Sequence, residues 1–156
     1  MKKLIVLAVV LFTVSAQAQE VERKVDEFTN EVSYSVNAAC TIEKGGKDQM
    51  LLIPMFTVSG EVDYLGVFAI GLGCLDNATL YILLEDGELI QKTMRNDFNC
   101  DGLGLFDLSR KDLSMLATQK IAKVRLSNKG RKAVGVPYNP NYFIRICEIV
   151  ADKDYL

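Results

Sequence analysis

The spacing of apolar and polar positions changes several times along the chain, and each change marks an element. The clearest case is residues 103–126, LGLFDLSRKDLSMLATQKIAKVRL. Leu113, Leu116 and Ala117 share one face at helical spacing, while Arg110, Lys111, Ser114 and Thr118 are left for water. Ser109 and Asp112 form an S-x-x-D capping box, and Leu108 and Leu113 stand at the two positions of a hydrophobic staple. After Gln119 the period becomes two, with Ala122, Val124 and Leu126 alternating with Lys123 and Arg125. The stretch predicts a strand, a capped helix and a second strand.

The rest of the chain reads mainly as strands. Residues 21–36, VERKVDEFTNEVSYSV, hold two β-like runs around Thr29 and Asn30, and Asn tolerates the left-handed backbone of a turn. Gly45 and Gly46, with Lys44, Lys47 and Asp48, predict a polar loop. Residues 50–59 predict a strand placed near an edge, or bulged, because of Pro54. Residues 62–75 predict one long strand bent at Gly66, Gly71 and Gly73. Asp76-Asn77 signals a turn, and Asp86-Gly87 joins the runs 80–84 and 89–93 as a hairpin. Asn139-Pro140 opens a closing helix over 140–151 that carries Phe143, Ile146, Cys147 and Val150 at helical spacing. The β-branched residues there leave a strand as the alternative. The sum is an α+β fold: a mainly antiparallel sheet of about seven or eight strands, curved or sandwich-like, with two short helices in the C-terminal half.

The first residues, MKKLIVLAVVLFTVSAQA, carry a basic start, a short apolar run and an A-x-A cleavage pattern at Ala16-Gln17-Ala18. These are the marks of a secretory signal peptide over 1–18, with periplasmic or secreted localisation. Cleavage after Ala18 takes 18 residues from 156 and leaves 138, beginning at Gln19. That length suits one β-rich domain over 19–156 with a real core. Past the leader, no apolar run approaches the length of a membrane span.

Charge is unevenly spread. Residues 19–108 hold 6 basic and 16 acidic groups, whereas residues 109–132 hold 8 basic groups and a single acid, Asp112. Lys120, Lys123, Arg125 and Lys129 are the candidates for contact with an anion, such as an envelope polymer or lipid headgroups. A solvated face balanced by the acidic half is the plainer alternative. The acidic total and the expected export disfavour nucleic acid.

Four cysteines, Cys40, Cys74, Cys100 and Cys147, allow three pairings in an exported chain. Cys74–Cys100 together with Cys40–Cys147 is the expected one, and four buried thiols are the alternative. No C-x-x-C occurs, so no thioredoxin-like redox site or zinc knuckle is suggested.

Candidate chemistry is sparse. The chain contains 0 histidines, which removes Ser-His-Asp, Cys-His and His-based metal constellations. No serine has lysine three places on, and no phosphate-binding glycine loop occurs. Asp97, Asn99 and Asp101, followed by Gly102, match the first half of a calcium loop. Its later ligand positions fall on Leu105 and Leu108, so an acidic turn is the competing reading. Asn77-Ala78-Thr79 matches a glycosylation sequon, a coincidence in a bacterial-looking chain.

Asp26-Glu27-Phe28-Thr29-Asn30-Glu31 resembles the D-x-F-T-G-E opening of a group of small, exported, uncharacterised bacterial proteins. The D-G hairpin over 80–90 is similar to that group's middle. So is the ending over 105–126, a strand, a capped short helix and an I-x-x-[IV]-R-L strand. Asn30 replaces the group's usual Gly, and the four cysteines are not part of its pattern. The resemblance implies fold and export and transfers no catalytic residue.

The expected function is therefore a non-catalytic exported binding or structural protein acting in the envelope, without a cofactor unless calcium is bound. A secreted hydrolase inhibitor is the alternative, offering its loops at 44–49 and 128–132. A weak calcium-binding module is the third reading.

Overall fold

The computed structural model describes residues 21–25, 27–28, 30, 32–36, 39–57, 63–96 and 99–151. Along them run β1 (Val21–Val25), β2 (Val32–Val36), β3 (Cys40–Lys44), β4 (Lys47–Thr57), β5 (Asp63–Ala69), β6 (Thr79–Leu84) and β7 (Leu89–Thr93). They are followed by β8 (Leu103–Leu108), α1 (Arg110–Thr118), β9 (Ile121–Asn128), β10 (Arg131–Pro137) and α2 (Tyr142–Ala151). The fold is α+β and mainly β.

Eight strands form a nearly closed antiparallel ring in the order β8-β5-β4-β3-β10-β9-β6-β7. The seam between β7 and β8 is bridged just past the end of β7. The Arg95 amide donates to the Leu105 carbonyl at 2.8 Å. The Asn96 side chain then acts like a further peptide group: its Oδ1 accepts from Leu105 N at 2.8 Å and its Nδ2 donates to the Leu103 carbonyl at 3.1 Å. β1 and β2 form a hairpin arm outside the ring, in which β2 pairs with Met55, Phe56 and Thr57 of β4.

Alternation along each ring strand turns one face inward. Ile42, Met50, Leu52, Leu65, Val67, Leu80, Ile82, Phe106, Val124 and Leu126 are fully buried. Leu113 and Leu116 of α1 and Phe143 and Ile146 of α2 join the same cluster. Burying each such side chain contributes about 1.5–3 kcal/mol. The capping box forms as the sequence requires: Ser109 Oγ accepts from Asp112 N at 3.2 Å, and Asp112 Oδ2 accepts from Ser109 N at 2.7 Å.

Several local expectations need correction. The expected polar loop narrows to Gly45 and Gly46, with φ of 62° and 75°, which make the two-residue turn of the β3–β4 hairpin. Pro54 is not on an edge. β4 is flanked on both sides, and Pro54 falls between the residue where β3 pairing ends, Leu52, and the one where β2 pairing begins, Met55. On that side β4 has no partner at Pro54, which is why the proline is tolerated. The strand expected over 62–75 ends at Ala69, because Gly71 and Gly73 take φ of 78° and 69° in a turn. The closing helix starts at Tyr142, two residues late, since Asn139 Oδ1 and the Asn139 carbonyl cap a turn by accepting from Asn141 N and Tyr142 N.

β10 is a strand that the apolar pattern does not announce. Gly135 and Pro137 blur its alternation, yet Gly135 is required there. A Cβ at that position would lie 2.5 Å from the Glu43 carbonyl oxygen.

Candidate anion-binding groove

The side chains that leave the ring on the outer face of β10, β9, β6 and β7 build the most distinctive surface. Two tight turns set its registers. Asp86-Gly87 joins β6 to β7, with Asp86 Oδ1 accepting from Glu88 N at 2.9 Å. Lys129-Gly130 joins β9 to β10, with φ of 45° and 80°. Those turns make Tyr81 the direct partner of Arg125, Leu83 the partner of both Lys123 and Leu89, and Val134 the partner of Arg125. Cross-strand neighbours of this kind sit within side-chain reach of one another.

The result is a groove of about 370 Å³ lined by Tyr81, Leu83, Leu89, Lys123, Arg125, Lys132 and Val134. The Arg125 guanidinium carbon lies 4.0 Å from the centroid of the Tyr81 ring. A guanidinium stacked by its face keeps its N–H edge for an anion, and the ring limits the conformational freedom it loses on binding. Among the described residues, Lys123, Arg125 and Lys132 form no ion pair with a carboxylate. Leu89 is 53% exposed. Three uncompensated cations thus stand beside bare leucine, a combination suited to recognising negative charge.

The four candidate cations divide. Lys123 and Arg125 enter the groove. Lys120 lies 4.0 Å from Glu85, and Lys129 lies 2.5 Å from Asp76, so both already face acids. Lys132, which the charge run contained without distinguishing it, takes the third place. Its alternation with Ala133, which puts it on the same face as Val134, was the available signal. Tyr81, Leu83 and Leu89 could be added only once the strand registers were known.

Of the calcium candidates, Asp97 lies outside the described residues. Asn99 Oδ1 accepts from Asp101 N at 2.6 Å, and the Asn99 backbone bridges to Leu75. Among the described residues, no three acidic, cysteine or histidine groups gather as a metal set. The two loops proposed for an inhibitor, at 44–49 and 128–132, are tight hairpin turns and strand ends.

Cys74 and Cys100 are joined in a disulfide. The expected Cys40–Cys147 bridge does not form; both are buried thiols, one opening β3 and the other within α2. Burial pushes the Cys40 thiol up to about 12. Burial, with Cys40 close by, likewise pushes the Tyr142 hydroxyl well above its ordinary value.

A second cluster lies on the outer side of β5 and β8. There Arg95 donates to the Tyr64 hydroxyl and to Asp107, and its guanidinium carbon lies 4.8 Å from the Tyr64 ring centroid. This cation is compensated, and it fastens the residues after β7 to the facing strands. No helix among the described residues is long and apolar enough to cross a membrane.

No protein-family model matches the chain, and no curated protein or solved structure matches it.

Proposed function

We propose that the chain is an exported, non-catalytic binding protein of the cell envelope that meets an anionic partner through the outer face of β10, β9, β6 and β7. One observation carries the reading. Lys123, Arg125 and Lys132 converge on a groove with no carboxylate among the described residues to neutralise them, and Tyr81 holds the arginine in place. Export rests on the leader sequence MKKLIVLAVVLFTVSAQA. The Cys74–Cys100 disulfide supports it, because such bonds persist in oxidising compartments.

The test is retention on an anionic matrix along a salt gradient, comparing two triple variants that remove the same charge. Lys123→Gln/Arg125→Gln/Lys132→Gln is expected to elute at clearly lower salt than Arg110→Gln/Lys111→Gln/Lys120→Gln. Equal shifts for the two would reduce the effect to net charge and overturn the reading.

A further inference from the structure

Resting on that reading, we infer that the groove's ligand is a small amphiphilic acid: a phosphate or carboxylate head on a short hydrocarbon body, taken from solution as a monomer. A simple polyanion would need only the cations. Here the lining divides by chemistry, with Lys132, Arg125 and Lys123 supplying charge and Leu83, Leu89 and Val134 supplying apolar wall. Leu83 and Leu89 are register partners on adjacent strands, and they remain 37% and 53% exposed. They therefore offer a continuous apolar surface that nothing within the described chain covers.

The positions are ordered as such a ligand requires. Leu83 partners Lys123 on one side and Leu89 on the other, so charge gives way to hydrocarbon along one cross-strand row. Val134 partners Arg125 in the neighbouring row. A head held by the β9 and β10 cations would lay its body across β6 towards β7. The volume of about 370 Å³ lies at the small end of ligand sites, within reach of a single chain. The small volume and the mixed lining favour a single chain over a bilayer surface.

Calorimetric titration of the intact protein with butyl, hexyl and octyl phosphate tests this, with inorganic phosphate and octyl glucoside as controls. Affinity is expected to rise roughly two- to fourfold for each methylene added, with phosphate alone and the neutral glucoside binding at least tenfold more weakly than octyl phosphate. Leu89→Asn alters an exposed side chain and should flatten the chain-length dependence. Lys132→Gln should weaken every phosphate alike and leave that dependence intact. Binding that is independent of chain length would overturn the inference while leaving an anionic partner in place. So would binding to phosphatidylglycerol vesicles without any to monomeric octyl phosphate. Loss of anion-matrix retention as well would remove both readings.

Discussion

Lys92 on β7 and Asp112 in the first turn of α1 form an ion pair that ties the helix to a strand bordering the open seam of the ring. Burial by itself would push the Asp112 carboxyl up. Hydrogen bonds from Lys92 and from the Ser109 hydroxyl and amide, together with the Lys92 charge, outweigh that and hold it below its ordinary 3.8. The carboxylate therefore releases its proton more readily in the folded than in the unfolded chain. Its stabilising contribution is complete above the unfolded value and disappears as pH falls through the lower, folded one. Asp112→Asn is expected to cost about 1–2 kcal/mol at neutral pH, from a weakened cap and an unpaired lysine. Urea unfolding at pH 7 and pH 2.5 checks this. The gap between the two proteins should narrow in acid; an unchanged gap would mean that the pair adds nothing.

Asn128 has a different task. It is buried at the end of β9, donates from Nδ2 to the Cys74 carbonyl at 2.7 Å and accepts at Oδ1 from Asp76 N at 3.0 Å. It thereby holds the disulfide-bonded turn against the sheet. Asn128→Ala leaves two backbone groups without these partners and should destabilise the protein by about 2–4 kcal/mol. Thermal unfolding with the disulfide intact measures the cost, and a loss below about 0.5 kcal/mol would show that water replaces the side chain readily.

The cysteine pattern gives a direct count. Denatured, unreduced protein should react with a thiol reagent at Cys40 and Cys147, and at all four cysteines after reduction. In the native protein at pH 8, Cys40 should resist alkylation, because burial keeps it protonated. Finding no reactive thiol in the denatured, unreduced protein would contradict the single bridge.

Close backbone approach predicts a further cost. Gly135→Ala would force a methyl group against the Glu43 carbonyl, where β10 meets β3 at Val136–Glu43 and Pro137–Ile42. Destabilisation of about 1–3 kcal/mol is expected by chemical denaturation. A neutral substitution would show that the two strands can separate slightly without loss.

How far the sequence discloses all this depends on the range of the interactions. The capped helix α1 and the β6–β7 hairpin are legible because Ser109 with Asp112, and Asp86 with Gly87, act within a few residues. Pro54 misleads because its tolerance depends on where β2 and β3 meet alongside β4, which only the folded sheet decides. β10 is hidden because Gly135 answers to Glu43, far away in sequence. In the groove, Lys123 and Arg125 show themselves by alternation with Val124 and Leu126. Whether a cation is already neutralised is a tertiary fact. Lys129 faces Asp76 and Lys120 faces Glu85, while Lys132 faces neither, and charge density along the chain is blind to that difference.

The most direct measurement is backbone amide chemical-shift mapping of labelled protein titrated with octyl phosphate at low ionic strength. Perturbations should concentrate at Tyr81, Leu83, Leu89, Lys123, Arg125, Lys132 and Val134, and should fade as salt is raised. Shifts centred instead around Lys120, Lys129 or the α1 surface, or no saturable shifts at all, would contradict a binding site on this face of the sheet.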